Sequence, residues 1–405
     1  MIRFIETVGA FCMGGSFMNT FEKDEKYVAH AYKRYPVCFV SGKGSLLYDE
    51  NGKEYIDLGT GIGVDIFGLC HEPWIAAVEA QLHKLNHVSN LFYTNPCADL
   101  AEILCSRTGM KRVFFSNSGA EANECAIKGA RKYSIDKYGK ERTEIVTLIN
   151  SFHGRTVTTL AANGQEVFHQ NFFPLTPGFL YTPANDLDAF IALCENHPNV
   201  CAVMVEPIQG EGGVNPLTKD FFEGVAKYAK AHDILLVVDE VQTGNGRTGK
   251  LYGYMHYDVA PDIVSTAKGL GGGLPIGATM FGEKTAAVFD YGSHGSTFGG
   301  NPIACAGAIS ILNEIDDALL AGVEERGAYI QKELAGAKGV KSVAGMGLML
   351  GIDPEKPVSE IVPKLLERGV VVLTAKTKIR LLPALNIPKE QLEKAVGILK
   401  EILAE

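Results

Sequence analysis

Between residues 75 and 300, short and almost unbroken apolar runs alternate with stretches of helical spacing. The runs are Arg112–Ser116, Glu144–Ile149, Cys201–Val205, Ile234–Val238 and Asp262–Ala267. Runs of this length and continuity predict strands buried on both faces of a mostly parallel sheet, with helices covering it. Behind the first run, Ala122, Cys125, Ala126, Ala130 and Tyr133 fall on one stripe and predict a helix of small-residue packing. The two ends of the chain read differently. Residues 18–70 carry turn signals at Gly42-Lys43-Gly44 and Asn51-Gly52, and residues 301–405 mix amphipathic helices with strands at Val343–Ile352 and Val370–Leu373. The pattern predicts an α/β fold with a large domain over 75–300 and a smaller α+β domain built from 18–74 and 301–405.

Composition narrows the class of protein. Of 405 residues, 46% are hydrophobic and 21% charged, which suits a globular chain with a substantial core. A net charge of −9, spread along the chain, disfavours nucleic acid and anionic membrane surfaces as partners. The apolar runs are far too short to span a bilayer. Nine cysteines, an odd number with no CxxC pair, read as reduced thiols of a cytoplasmic protein. Residues 1–17 hold a short apolar run, Val8–Met13, with Glu6 beside it, which makes a poor export signal. Met18-Asn19-Thr20 is the more natural start, and residues 1–17 read as a disordered extension.

In open α/β sheets chemistry sits beyond the carboxyl ends of the strands. After Arg112–Ser116 comes Asn117-Ser118-Gly119-Ala120, a turn opening a helix, suited either to phosphate or to simple capping by Ser118. After Glu144–Ile149 come Phe152 and Arg155, either a stacking ring and a carboxylate clamp or a core ring and a surface charge. Glu206 and Glu211 follow the third run, and Asp239 ends the fourth, where a carboxylate needs a donor or a cation. The fifth run ends at Lys268, which faces Gly269, Gly271, Gly272 and Gly273.

Two nearby patterns lack the right setting. Gly244–Gly249 spells GxGxxG, and with Lys250 nearly a phosphate-binding loop, but Leu251 replaces the hydroxyl residue and no helix opens there. It reads as a glycine-rich turn. His83 and His87 have i, i+4 spacing without a glutamate partner and read as surface histidines rather than metal ligands. Gly292-Ser293-His294-Gly295 lacks the spacing of a nucleophile elbow.

A lysine at a strand end, desolvated among glycines, is suited to carbonyl chemistry. Together with an acid, an aromatic ring and a phosphate cradle at neighbouring strand ends, it matches the needs of pyridoxal 5'-phosphate. The motifs FFSNSGAEANE (114–124), NSFHGRT (150–156), EPIQGEGGV (206–214), VDEVQTGNGRTGKL (238–251), PDIVSTAKGLGGGLPIGA (261–278), GSHGSTFGGNP (292–302) and IRLLPAL (379–385) carry a specific likeness. From residue 18 to 405 the chain resembles the class III, ornithine-type aminotransferases of the fold-type I pyridoxal phosphate enzymes.

The resemblance implies a mostly parallel seven-stranded sheet and a homodimer with shared sites. It implies Lys268 as the Schiff-base lysine and Asp239 as partner of the ring nitrogen. Phe152 and Val241 would cover the two ring faces, with Gln242 near the phenolic oxygen. Ser118, Gly119 and Ala120 would cradle the phosphate, and Ser296 and Thr297 would reach it from the neighbouring subunit. Arg155 would clamp a distal carboxylate, Arg380 the α-carboxylate of glutamate, and Glu211 would neutralise Arg380. The likeness is greatest to the branch that moves the δ-amino group of N2-acetyl-L-ornithine to 2-oxoglutarate, a step of arginine biosynthesis. Ornithine, succinylornithine and 4-aminobutyrate are alternative substrates. An aminomutase or racemase, or a non-catalytic binder that kept the site, are alternatives of another class. The chain departs from the resemblance at Gly68–Trp74, where relatives often read Gly-His-x-His-Pro, and at Leu381-Leu382-Pro383-Ala384, where many have two prolines.

Overall fold

The structure, a computed structural model, describes residues 18–405. The reading of residues 1–17 as an extension lies outside the described residues. The centre is a seven-stranded sheet built from β1 (Arg112–Ser116), β2 (Glu144–Leu148), β3 (Phe179–Thr182), β4 (Val200–Val205), β5 (Leu235–Asp239), β6 (Ile263–Thr266) and β7 (Gly277–Phe281). Its spatial order is β1-β7-β6-β5-β4-β2-β3, and β7 alone among them runs antiparallel to both neighbours. The five apolar runs of the sequence are strands here, shifted by a residue or so at their ends.

β3 and β7 are additions to that reading. β3 is a half-buried edge strand, and β7, Gly277-Ala278-Thr279-Met280-Phe281, is fully buried yet starts with residues of weak strand propensity. Small residues are required there, because a Cβ on Gly277 would lie 2.3 Å from the Ser118 carbonyl oxygen. The helix Gly119–Tyr138 packs its stripe, including Ala122, Cys125, Ala126 and Ala130, against the sheet.

The two ends of the chain meet in one four-stranded sheet, and residues 340–381 form a second. Phe39–Lys43, Leu46–Asp49 and Glu54–Asp57 form a meander through turns at Gly44 and Gly52, and Val370–Val371 adds in parallel to its last strand. The stretch read as one strand, Val343–Ile352, is a hairpin of Val340–Met346 and Met349–Pro354. It turns at Gly347 (φ 53°), where a Cβ would lie 2.5 Å from the Thr248 backbone. Val370–Leu373 likewise divides, since Leu373–Ala375 pairs with Lys378–Leu381 in the second sheet.

Arg247, at the heart of the glycine-rich turn, ties these parts together. It is fully buried, and its Nη1 donates to the carbonyls of Leu348 (3.2 Å) and Pro383 (2.5 Å). Burial pushes its pKa down to about 9. The eight described cysteines are free thiols, of which Cys125, Cys194, Cys201 and Cys305 are buried. Among the described residues no helix is long and apolar enough to cross a membrane, and no group of histidines, cysteines and carboxylates is arranged to hold a metal ion. His83 is exposed just past the helix Glu72–Leu82, and His87 lies beyond it against Phe298.

The departure at Gly68–Trp74 has a clear structural role. Gly44 and Leu69 exchange backbone hydrogen bonds of 2.8 and 2.7 Å, His71 pairs with Glu314 at 2.8 Å, and Trp74 Nε1 donates to the Gly271 carbonyl at 3.0 Å. Gly68 (φ 81°) passes so close that a Cβ would sit 2.6 Å from the Gly44 carbonyl, whereas Gly52 (φ 78°) has open space around it. Gly52→Ala should therefore lose about 1 kcal/mol from backbone strain alone. Gly68→Ala, with strain and a backbone clash together, should lose roughly 2–4 kcal/mol. Denaturant midpoints of the two variants check this, and equal losses would contradict it.

Candidate active site

The carboxyl ends of β1, β2, β4, β5 and β6 open on one cavity of about 250 Å3. Each contributes to its lining: Gly119 and Ala120 beyond β1, Phe152 and Arg155 beyond β2, Glu206 beyond β4, Asp239 on β5, and Lys268 beyond β6. A larger concavity of about 770 Å3 runs along residues 20–39 and takes none of these residues.

Lys268 opens a short 3-10 turn immediately after β6 and holds a left-handed backbone (φ 48°), unusual for a residue with a long side chain. Burial lowers the pKa of its amine; the Arg380 charge lowers it further, while Glu211, Asp239 and Glu206 act the other way. A lowered pKa enlarges the share of the neutral amine, which is the nucleophilic and basic form.

Asp239 is buried and firmly held. Its Oδ2 accepts from Asn123 Nδ2 at 2.7 Å and His153 Nδ1 at 2.8 Å, and its Oδ1 accepts from the Val241 amide at 3.0 Å. Asn123 is fixed in turn by donating to the His153 carbonyl (2.7 Å) and accepting from Ser265 Oγ (2.5 Å). Glu206 accepts from the Phe152 and Gly210 amides at 2.9 and 3.1 Å. Burial pushes its pKa up to about 7; the His153 ring opposes that rise and the Asp239 charge adds to it. Asn123 and His153 were given no task by sequence reasoning, although both fall inside quoted motifs. Their signal was a polar residue on an otherwise apolar helix face and beside a strand end.

Val241 packs directly on Gly119, where a Cβ would lie 2.6 Å from Val241 Cγ1. Ser118 caps the helix, its Oγ accepting from the Glu121 amide at 3.2 Å and donating to Glu121 Oε2 at 3.0 Å, and it does not line the cavity. The first amides of that helix, on Gly119 and Ala120, have no acceptor among the described residues. Arg155 is exposed at the rim, its guanidinium 4.6 Å from the ring centre of Phe168 and 5.7 Å from that of Phe152. Arg380 is buried, and its Nη1 donates to Glu211 at 2.6 Å and to Gln242 Oε1 at 3.1 Å. Gln242 is thus engaged with Arg380 in this structure. Ser296 accepts from Asn117 Nδ2 at 3.3 Å, and Thr297 beside it is exposed and outside the cavity of its own chain.

The cavity fits a phosphorylated pyridine aldehyde. It has an amine of lowered pKa, a fixed carboxylate, an aromatic ring and a valine, and free amides at a helix N-terminus, where an anion is favoured.

The family model described as aminotransferase class-III matches residues 27–403. The acetylornithine aminotransferase of Haemophilus ducreyi is 49% identical over 385 residues, covering 94% of this chain and 98% of that one. The structure of the acetylornithine aminotransferase from Elizabethkingia anophelis superposes with a TM-score of 0.84 at 33% identity, covering 95% of this chain and 97% of that one. The ornithine aminotransferase of Toxoplasma gondii, crystallised with oxidised glutathione and with PLP at partial occupancy in its active site, gives a TM-score of 0.90 at 33% identity, covering 95% and 93%.

The hold on Asp239 is testable through pH. Asn123→Asp sets a second carboxylate against Asp239 Oδ2, and the folded pair must share a proton, so one pKa rises well above its unfolded value of about 3.9. The stability of the folded variant is then greatest below that unfolded value and falls as pH rises through the folded one. Relative to the parent, the deficit should be roughly 3 kcal/mol or more at pH 8 and clearly smaller at pH 5. Denaturant titrations at both pH values check this; a deficit independent of pH would refute it.

Proposed function

The chain belongs to the class III aminotransferases, and from that premise we propose that it transfers the δ-amino group of N2-acetyl-L-ornithine to 2-oxoglutarate, giving N-acetyl-L-glutamate 5-semialdehyde and L-glutamate. The observation that carries this reading is the pairing of Arg380 with Glu211 at 2.6 Å beside a cavity that has a second arginine, Arg155, free at its rim.

Pyridoxal 5'-phosphate, the cofactor of this family, supplies an aldehyde that carries the amino group between substrates and a ring that accepts electrons when a C–H bond breaks. Gly119 and Ala120 would hold its phosphate, Phe152 and Val241 its ring faces, Asp239 its ring nitrogen and Lys268 its aldehyde. Lys268 Nζ, its pKa lowered by burial, would take the proton from the amine-bearing carbon of the donor and, in the second half-reaction, would give one to the carbon of 2-oxoglutarate that receives the amine.

The two substrates differ at the reacting carbon. Acetylornithine has no carboxylate there, so the buried Arg380 charge stays neutralised by Glu211 while Arg155 holds the α-carboxylate at the far end. Glutamate has one at each end. Its distal carboxylate takes Arg155, and its α-carboxylate takes Arg380 once Glu211, which is more exposed than its partner, swings away.

The acyl preference rests on two stretches that the family resemblance sets near the substrate's α-nitrogen. The stretches Ser45–Leu47 and Gly61–Val64 carry no phenol, and the neighbouring tyrosines are occupied, Tyr48 with Glu54 and Tyr55 with Asp49. An uncharged acetamido nitrogen is cheaper to desolvate there than an ammonium. The active unit is a homodimer: Thr297 is exposed and outside its own cavity, and Leu91, Phe92, Tyr93, Tyr291 and Phe298 present an apolar surface for a second copy. A reducing cytoplasm suits the free thiols.

Lys268→Ala should keep its fold by circular dichroism, lose the visible absorption of the bound cofactor, and lose at least about a thousandfold in turnover. A borohydride-stable adduct on a different lysine would reassign the residue. In a panel of amines with 2-oxoglutarate as acceptor, acetylornithine should exceed ornithine by at least about tenfold in kcat/KM, or roughly 1.4 kcal/mol. Equal turnover of ornithine would overturn the acyl assignment and leave the aminotransferase activity standing.

A further inference from the structure

The phosphate cradle of one subunit and the loop that would serve its partner are mechanically one piece. Residues 292–299 carry Ser296 and the exposed Thr297; one end of this loop is tied to β1 and to the helix Gly119–Tyr138, and the other to β1 and to Asn90. At one end, Lys128 of the helix donates to the Ser293 carbonyl (3.2 Å) and to His294 Nδ1 (2.8 Å), and the His294 ring lies 4.5 Å from Phe114 of β1. At the other end, the loop backbone lies directly on β1, since a Cβ on Gly299 would lie 2.0 Å from the Phe115 carbonyl oxygen. Asn90 Nδ2 fastens the same end through the carbonyls of Ser296 (2.8 Å) and Gly299 (2.9 Å).

Between these anchors runs a continuous polar chain. Glu121, in the first turn of the helix, accepts from the Asn117 amide at 2.9 Å and from Asn117 Nδ2 at 3.0 Å, and from Ser118 Oγ at 3.0 Å. Asn117 Nδ2 also reaches Ser296 Oγ at 3.3 Å, and Ser296 Oγ accepts the Gly299 amide at 3.0 Å. The amides of Gly119 and Ala120 that face the cavity thus belong to the same turn that positions the residue before Thr297.

We infer that Asn117 and Glu121 form a relay coupling the two cofactor sites of the dimer: phosphate bound at one cradle fixes the Ser296–Thr297 loop that completes the partner's cradle. The inference rests on the reading of Thr297 as serving the neighbouring subunit. A phosphate at Gly119–Ala120 brings negative charge beside Glu121, which is accommodated when Asn117 keeps both of its donors on that carboxylate. Asn117 held in this way presents Nδ2 to Ser296 and orders the loop. By the two-fold symmetry the same holds in the other direction, and the coupling is reciprocal. Asn117 does not line the cavity and is a positioning residue.

The test is the distribution of cofactor between dimers. Apoenzyme is equilibrated with half of the pyridoxal phosphate needed to fill it, and empty, singly and doubly loaded dimers are counted by native mass spectrometry. Independent sites leave about half of the dimers singly loaded, and a roughly fivefold coupling lowers that share to about a third. The parent enzyme should show the depleted share, and Asn117→Ala and Ser296→Ala should restore the statistical one while remaining dimeric. A statistical distribution in the parent would overturn the relay, as would an unchanged depletion in both variants. Thr297→Val separates this from the underlying reading. If it leaves cofactor release unchanged, or if the parent sediments as a monomer, the assignment of Thr297 to the partner's site fails. If it speeds release while Asn117→Ala leaves the distribution depleted, the relay alone fails.

Discussion

A carboxylate at the end of a strand buried on both faces has to be met by donors, and Asp239 is the point on which the site is organised. Its two oxygens take three hydrogen bonds, from a helix beyond β1, a loop beyond β2 and the turn of its own strand. Those bonds fix the relative positions of three separate segments, and each segment brings something else to the cavity. The helix brings the Gly119 and Ala120 amides, the loop brings Phe152 and Arg155, and the turn brings Val241. Lys268 faces the same space from the adjacent strand, whose register with β5 sets Asp239 against Ser265. Without the donors, the buried charge would be untenable and the segments would have no common reference.

Electrostatics in the cavity are balanced between neighbours. Lys268 lies among groups of both signs: burial is the largest influence and lowers the pKa of its amine, Glu211, Asp239 and Glu206 raise it, and Arg380 lowers it. Arg380 would be an uncompensated buried charge without Glu211 and Gln242, and the pairing keeps it in place with no ligand on it. A site of this kind can change partners without exposing a bare charge at any stage.

Much of this was legible in the sequence because parallel strands buried on both faces leave continuous apolar runs, and the polar residue ending each run stands out. Lys268 and Asp239 were singled out in that way, and both line the cavity. β7 was not, because its partners on either side and the close Ser118 carbonyl demand glycine and alanine, which carry no strand signal. The hairpin inside Val343–Ile352 was hidden because its turn depends on Gly347 pressing against Thr248, a contact from another part of the chain. Asn123 and His153 were missed for a related reason. A buried polar side chain reveals its task only when its partner is known, and that partner, Asp239, is remote in sequence. Local pattern reports burial well and reports long-range hydrogen bonding poorly.

The pairing of Val370 with Ile56 imposes an order of assembly on a ribosome-made chain. At a pace of about ten residues per second, roughly half a minute of synthesis separates the two. During that interval the seven strands of the central sheet can emerge and pair, whereas the first meander waits with an open edge. Arg380 arrives later still, on a strand that closes the second small sheet. A nascent chain halted before residue 370 would hold every residue lining the cofactor cavity and lack the arginine that receives an α-carboxylate. Such a chain would bind the cofactor's surroundings together while leaving a strand edge exposed, which makes the final tens of residues the step at which quality control has most to do.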